Sequence, residues 1–279
     1  MLVSVIIPTW NRCEPLKEAI DSVLRQKEVP YELLVIDDGS QDGTRAMITA
    51  EYPEIRYFYF PNAGPAAARN RGIEQAHGEW LAFLDSDDRW QSGKLRAQLD
   101  FFQEHPDYRI CQTEEIWIRN GARVNAMKKH KKFGGWIYDA CLPLCIISPS
   151  AVMLQRDLLE EVGKFDESFP ACEDYDLWLR ISARYPVGLI PQPYVVKYGG
   201  HADQRSRQFP GMDQFRIQAL VKILRSGVLN PDQTAATIAV LEAKSRIFIQ
   251  GALKRAKFEE AQKMRELLDS VKIPVSNLL

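Results

Sequence analysis

No stretch of the 279 residues stays apolar for long. The longest runs, such as residues 33–36 and 81–84, are about a quarter of the length a membrane-spanning helix needs. No basic segment precedes the first apolar run, so Met-Leu-Val-Ser-Val-Ile-Ile-Pro reads as a buried strand and not as a signal peptide. An excess of either charge is also missing: 36 Lys and Arg against 37 Asp and Glu leave −1. That excludes the basic surplus of a dedicated nucleic-acid binder. Cysteine is sparse, with five residues at 13, 111, 141, 145 and 172 and no C-x-x-C pair. An odd, scattered set argues against a disulfide framework and for thiols in a reducing compartment. An apolar share of 46% leaves no case for disorder.

Several familiar motifs are absent as well. A P-loop needs G-x-x-x-x-G-K-[ST], but Ser92-Gly93-Lys94 runs on into Leu95 and position 88 is Asp. No G-x-G-x-x-G follows the first strand, so a dinucleotide fingerprint is missing. Asp85-Ser86-Asp87 fails as a calcium loop, because Arg89 and Trp90 stand where an acid or amide and a glycine belong. Neither G-x-S-x-G nor H-E-x-x-H occurs, which removes common hydrolase and zinc-protease readings.

What is present is alternation. Residues 2–7 form an apolar, β-branched run suited to a strand covered on both faces, with Pro8 expected to end it. Leu16, Ala19, Ile20, Val23 and Leu24 recur at helical spacing. Strands are predicted at 32–36, 55–60 and 80–84, with helices after Asp42 or Thr44 and after Gly64-Pro65. The order β-α-β-α-β-α-β predicts a parallel sheet with helices on both faces. Ligands of such sheets sit beyond the carboxyl ends of the strands. Further on, a helix is predicted at 94–103 and strands at 108–118 and 150–154. Short helices follow at 156–162 and 175–183. Residues 119–140 read as loop. A strand at 187–198 is expected at a sheet edge, because Pro191 and Pro193 cannot donate to a ladder. After 212 only helical patterns appear, at about 213–226, 232–253 and 256–271.

Three acidic clusters fall at the ends of these elements: Asp37-Asp38, Asp85-Ser86-Asp87-Asp88 and Glu173-Asp174-Tyr175-Asp176. Each has a plain reading. Asp and Ser form turns readily, and acids favour helix N-termini. Two aspartates one residue apart can also face a single hard cation, since Mg²⁺ takes one or two carboxylates together with substrate phosphates.

Read in order, the segments acquire more meaning. They are Val5-Ile6-Ile7-Pro8-Thr9-Trp10-Asn11-Arg12, Val35-Ile36-Asp37-Asp38-Gly39-Ser40, Ala68-Arg69-Asn70-Arg71-Gly72 and Phe83-Leu84-Asp85-Ser86-Asp87-Asp88. Gly163-Lys164-Phe165-Asp166-Glu167 and Glu173-Asp174-Tyr175-Asp176-Leu177-Trp178 complete the set. Over residues 2–205 this resembles a family-2 inverting glycosyltransferase of the GT-A fold. The resemblance implies an α/β architecture with a Rossmann-like, mostly parallel central sheet flanked by helices. It implies a catalytic domain over 1–210 and a C-terminal helical extension over 211–279.

The implied site follows residue by residue. Pro8, Thr9, Asn11 and Ser86 would line the nucleotide pocket. Asp38 would contact the base, Arg69 would lie along the nucleotide, and Asp85 would stand near the ribose or the metal. Asp85, Asp87 and, more loosely, His201 would hold Mn²⁺ or Mg²⁺. Asp174 matches the catalytic base. The donor would be a nucleoside-diphosphate sugar, a UDP-sugar by preference, and the acceptor a saccharide or a lipid-linked one. The absence of Q-x-x-R-W favours transfer of a single sugar in glycan synthesis. Two rival classes are a nucleotidyltransferase or pyrophosphorylase, which would want glycines in the 8–12 segment, and a non-catalytic sugar-nucleotide binder.

The charge balance hides a split. Residues 211–279 hold eleven Lys and Arg against seven Asp and Glu, while the first 210 hold 25 against 30. The apolar stripe of the tail is expected to pack on the catalytic domain or to form a homodimer. Peripheral contact with the inner membrane face is the rival, and the chain is otherwise expected to be cytoplasmic. The run 128–132 reads as a solvated basic loop. Trp136, Tyr138 and Trp178 are candidates to stack on an acceptor sugar, with Trp178 better suited to the core.

Overall fold

Seven consecutive buried residues form the first strand, β1 (Val3–Thr9), in a computed structural model that describes residues 1–27, 29–125, 130–200, 209 and 211–271. Pro8 does not end it. Ile6 O accepts from Leu84 N and Thr9 O from Asp38 N. Alternation therefore points the Pro8 nitrogen toward the fourth strand, whose pairing has already stopped at Ile6↔Phe83. A proline costs no ladder bond there.

The chain continues through α1 (Cys13–Leu24), β2 (Tyr31–Asp37), α2 (Thr44–Glu51), β3 (Arg56–Tyr59), α3 (Pro65–Gln75) and β4 (Trp80–Phe83). Then come β5 (Arg89–Trp90), α4 (Lys94–Glu104), β6 (Ile110–Arg119), β7 (Ala122–Val124) and α5 (Tyr138–Cys141). A 3-10 turn at Pro149–Ala151 leads into β8 (Val152–Gln155), followed by α6 (Leu158–Val162), α7 (Glu173–Ser182) and β9 (Gly188–Gly199). Three helices close the described chain: α8 (Asp213–Arg225), α9 (Pro231–Lys254) and α10 (Phe258–Asp269).

Among the described residues the sheet runs β3-β2-β1-β4-β8-β6-β9-β5, with β7 folded back on β6. The first four strands are parallel neighbours, as the alternation predicts. Beyond β4 the sheet is mixed, because β8 enters antiparallel between β4 and β6 while β6 and β9 pair in parallel. β5 and β7 were not expected from the sequence; at two and three residues they carry no readable period. β9 is not an outermost strand, since β5 covers Val195 and Val196. Its prolines sit before that pairing begins, and the β6 register slips around Pro193. That is where a missing N–H is tolerated.

Alternation along β1 separates two cores. Val3, Val5 and Ile7 face α1 and α4 residues such as Leu16, Ile20 and Leu95. Ile6 faces the other way, into a cluster with Ala68 and Ile73 of α3, Trp178 of α7 and Leu220, Leu241 and Leu268 of the last three helices. The division expected at residue 210 lies outside the described residues, and the helices after it share the apolar cluster of α7. A capping box opens α9: Asn230 accepts from the Gln233 amide and the Gln233 side chain accepts from that of Asn230, with Pro231 at the first helical position. Gln233 also donates to Ala183 O (3.0 Å), and the Tyr138 and Thr237 hydroxyls meet at 2.7 Å.

Candidate active site

Parallel register brings the acidic strand ends together. Thr9 stands opposite Asp37, and Asp37 opposite Tyr59. The Thr9 hydroxyl is buried without a hydrogen-bond partner among the described residues. Asn11, in the left-handed region at φ 51°, donates its amide to Ser40 Oγ (2.9 Å) and accepts from Gln41 N (2.7 Å), tying the β1 loop to the β2 loop. Asp37 accepts from Ser40 N and Tyr57 Oη at 2.7 and 2.6 Å.

Asp38 is buried and fully engaged. One oxygen accepts from Ala63 N (2.9 Å) and Arg71 (3.2 Å), the other from Gly64 N (2.8 Å) and Asn62 (3.0 Å). A carboxylate offers about four lone-pair sites, so Asp38 organises the loop that enters α3. A base N–H reaches it only if Asn62 or Arg71 gives way.

Arg69 projects from α3 into the middle of the site. Its Nη2 donates to Asp85 Oδ1 at 2.7 Å and its Nη1 to Glu173 Oε1 at 2.8 Å. One guanidinium thus joins the D-x-D turn to the acidic N-terminus of α7. Burial pushes Asp85 up, but Arg69 and Lys197 hold it below the ordinary carboxylate value. Asp87 pairs with Arg12. Ser86, between the two aspartates, and Pro8, near the end of β1, are both buried.

Asp88, which sequence reasoning left unassigned, anchors the turn from below. Ser150 Oγ accepts from the Asp85 amide (3.1 Å) and donates to Asp88 Oδ2 (2.7 Å), and Lys197 Nζ lies 3.1 Å from the same oxygen. Burial pushes Asp88 up to about 7 against the pull of Lys197, with Asp87 and Asp85 adding repulsion. The third acid of Asp85-Ser86-Asp87-Asp88 was a readable signal for this role. Nothing local in the sequence marks Ser150 or Lys197.

Asp174 lies in the first turn of α7. Tyr175 N contacts its Oδ1 at 2.7 Å, and the Cys145 thiol is 3.4 Å from its Oδ2. Burial and the adjacent Glu173 charge push Asp174 up to about 6, against the pull of Arg69. A carboxyl so poised can take a proton near neutral pH. Glu173 has no role of its own in the sequence pattern beyond membership of its acidic cluster, and nothing in the sequence marks Cys145. Their importance comes from packing between segments about 30 to 100 residues apart.

The donor set suits a hard divalent cation. Asp85 Oδ2 and Asp87 Oδ1 carry no hydrogen bond among the described residues, since the two arginines engage the other oxygens. No cluster of three or more His, Cys, Asp or Glu ligands occurs among the described residues. Two carboxylates plus substrate phosphates is the usual Mg²⁺ arrangement. His201 lies outside the described residues, as do Lys128 and Lys129.

Two expectations are corrected. Lys132 is not solvated; it is buried against Gln112 (2.9 Å) and Glu115 (3.3 Å). Of the three aromatic candidates only Trp136 is exposed. Tyr138 is spent on Thr237, while Trp178, as expected, packs edge-on to Phe165 in the core. No helix among the described residues is long and apolar enough to cross a membrane.

A family model described as glycosyl transferase family 2 matches residues 4–163. An uncharacterized glycosyltransferase of Rickettsia felis is 37% identical over 190 residues, covering 67% of this chain and 31% of that protein. This chain thus spans about a third of that relative's length. A relative from Escherichia coli, UDP-Glc:alpha-D-GlcNAc-diphosphoundecaprenol beta-1,3-glucosyltransferase WfgD, is 36% identical over 183 residues, covering 64% of this chain and 69% of the relative. Among solved structures, S. aureus TarS 1-349 in complex with UDP-GlcNAc superposes with a TM-score of 0.73. It is 20% identical and covers 97% of this chain and 80% of that one, which establishes a shared GT-A fold.

Proposed function

Because this chain belongs to glycosyl transferase family 2, we propose that it moves one sugar from a nucleoside-diphosphate sugar to an acceptor hydroxyl with inversion, in the synthesis of a surface glycan. The observation that carries the proposal is the Arg69 bridge. It holds Asp85 of the D-x-D turn and Glu173, the neighbour of Asp174 in the first turn of α7, on the two ends of one guanidinium. A site for a charged leaving group and a site for a proton acceptor are thereby adjacent.

Asp174 is the base in this reading. An acceptor hydroxyl is a poor nucleophile until a positioned carboxylate takes its proton in the transition state. Attack on the anomeric carbon opposite the leaving diphosphate inverts configuration in one displacement. One carboxylate therefore suffices, unlike the pair used by retaining glycosidases. Pro8, Thr9, Asn11 and Ser86 border the nucleotide, and the buried Thr9 hydroxyl, which has no partner among the described residues, would reach it only after local rearrangement. Asp38 serves the base only through rearrangement of its present partners. Arg69 fixes the distance between Asp85 and α7 and offsets their charge. Asp85 and Asp87 would hold Mn²⁺ or Mg²⁺, with His201 a further candidate ligand. When bound, the ion supplies a Lewis acid for the negative charge developing on the diphosphate.

A UDP-sugar is the favoured donor, because the named WfgD activity and the ligand of the TarS complex both use uridine nucleotides. A saccharide or lipid-linked acceptor, a cytoplasmic location and peripheral membrane contact belong to the same proposal. The test is a thermal-shift screen of UDP-, GDP- and dTDP-sugars with and without Mn²⁺, followed by assay of nucleoside-diphosphate release. Stabilisation and release with at least one UDP-sugar, dependent on Mn²⁺, is the expected result. No response to any sugar nucleotide would sink the proposal.

A further inference from the structure

The last three helices lie outside residues 4–163 matched by the family model, and α8 packs on α7, whose first turn carries the base. Lys222 of α8 reaches two acids of the motif segments at once. Its Nζ is 2.6 Å from Asp166 Oδ2 and 2.9 Å from Asp176 Oδ1. Asp166 belongs to Gly163-Lys164-Phe165-Asp166-Glu167, and Asp176 stands two residues beyond Asp174. Asp176 is nearly sealed from solvent, and its second oxygen is held by Arg180 at 2.8 Å. Arg180 in turn donates to the carbonyls of Gly163 and Lys164 (2.9 and 2.8 Å). The two motif segments therefore meet around one lysine supplied from outside them.

A second observation concerns backbone. Cys172, directly before Glu173-Asp174, is a buried non-glycine residue at φ 65°. Such a conformation persists only where the surroundings over-determine it. Its carbonyl accepts from Asp176 N at 3.1 Å, and its thiol lies 3.9 Å from Met212 O at the start of α8. Both ends of α8 thus bear on the turn that aims Asp174: Met212 at Cys172, and Lys222 at Asp166 and Asp176.

We infer that Lys222 is a positioning residue: through Asp166 and Asp176 it locks the turn that presents Asp174, which makes the C-terminal helices part of the catalytic apparatus. The inference rests on the proposed role of Asp174 as base. Lys222 contacts neither base nor donor. Its loss should loosen the aim of the base and leave donor binding alone.

The experiment uses the full chain with Lys222→Met, Lys222→Arg and Asp174→Asn. The first measurement needs no substrate. Amide hydrogen exchange in peptides spanning 165–182 should rise about tenfold in Lys222→Met, as expected when a local opening is eased. It should return close to wild type in Lys222→Arg, with the melting temperature changed little. Exchange equal to wild type, or a rise spread evenly over the whole chain, would overturn the inference. In the second measurement, UDP release from UDP-glucose and UDP-N-acetylglucosamine with Mn²⁺, kcat of Lys222→Met should fall about tenfold at unchanged donor KM. Arginine should restore it. A matching rise in KM, or no loss of kcat, counts against the lysine. If Asp174→Asn keeps wild-type turnover, the base assignment itself fails, whatever Lys222 does. If Asp174→Asn is inactive while Lys222→Met is unaffected, the positioning role alone fails.

Discussion

Asp174 is held above its ordinary value of 3.8, at about 6, chiefly by burial. Only the ionised carboxylate can take a proton, so turnover should rise with pH through an acid limb centred near 6. Stability has the opposite sign. The folded chain binds this proton more tightly than the unfolded one, so the contribution is full below about 3.8 and is lost as pH rises through about 6. Asp174→Asn should therefore abolish transfer while raising the melting temperature at pH 8 and not at pH 4. A pH-rate profile and two melting curves check both halves. A variant destabilised at pH 8 would overturn the stability half, and one with wild-type turnover the catalytic half. The acidic clusters are legible as carboxylates at strand and helix ends, while their proposed roles come from the resemblance. Their partners are not legible. The resemblance sets Arg69 along the nucleotide, and its motif carries no sign of the partners its guanidinium meets, Asp85 and Glu173. Ser150 and Lys197 touch Asp88 only after β8 and β9 have joined the sheet.

At the scale of elements, α3 shows how closely the site is tied to the sheet. It enters on Gly64-Pro65, is held there by Asp38, and lies on β1 and β2. Gly72 is where it touches: a β-carbon there would overlap Ile6 Cγ2 and approach Ile36 Cγ1 at 3.2 Å. Gly72→Ala should cost about 1–3 kcal/mol through overpacking, measured as a lower urea midpoint at constant slope. Donor affinity should fall with it, since Arg69 is one turn away on the same helix. The regular part of the architecture was readable for the same reason that Gly72 matters. Strands buried on both faces give unbroken apolar runs, and the helices between them keep a clear period. Pro8 misled because proline was read by its own propensity, when its neighbour β4 had already ended. β8 gives no hint of running antiparallel, because a four-residue strand has no direction that a sequence pattern can show.

For the molecule as a whole, one apolar cluster joins the sheet face, α7 and the three C-terminal helices. Leu241 lies at its centre, fully buried on α9. Leu241→Ala should cost about 2–5 kcal/mol. In calorimetry the single unfolding transition should move down as a unit; a separate early transition would mean that the helices fold apart from the sheet. Ile247 and Phe258 remain exposed on these helices. The Arg69 bridge has a last consequence, one of timing. Its two partners are 16 and 104 residues away along the chain. Contacts of such separation form late, because closing long loops must precede them. A chain emerging from the ribosome therefore has no half-built reaction centre. Asp85 and Glu173 stay unjoined until residue 173 has been made and docked, so on the proposed mechanism nascent and partly folded forms should be inactive and activity should report completed folding.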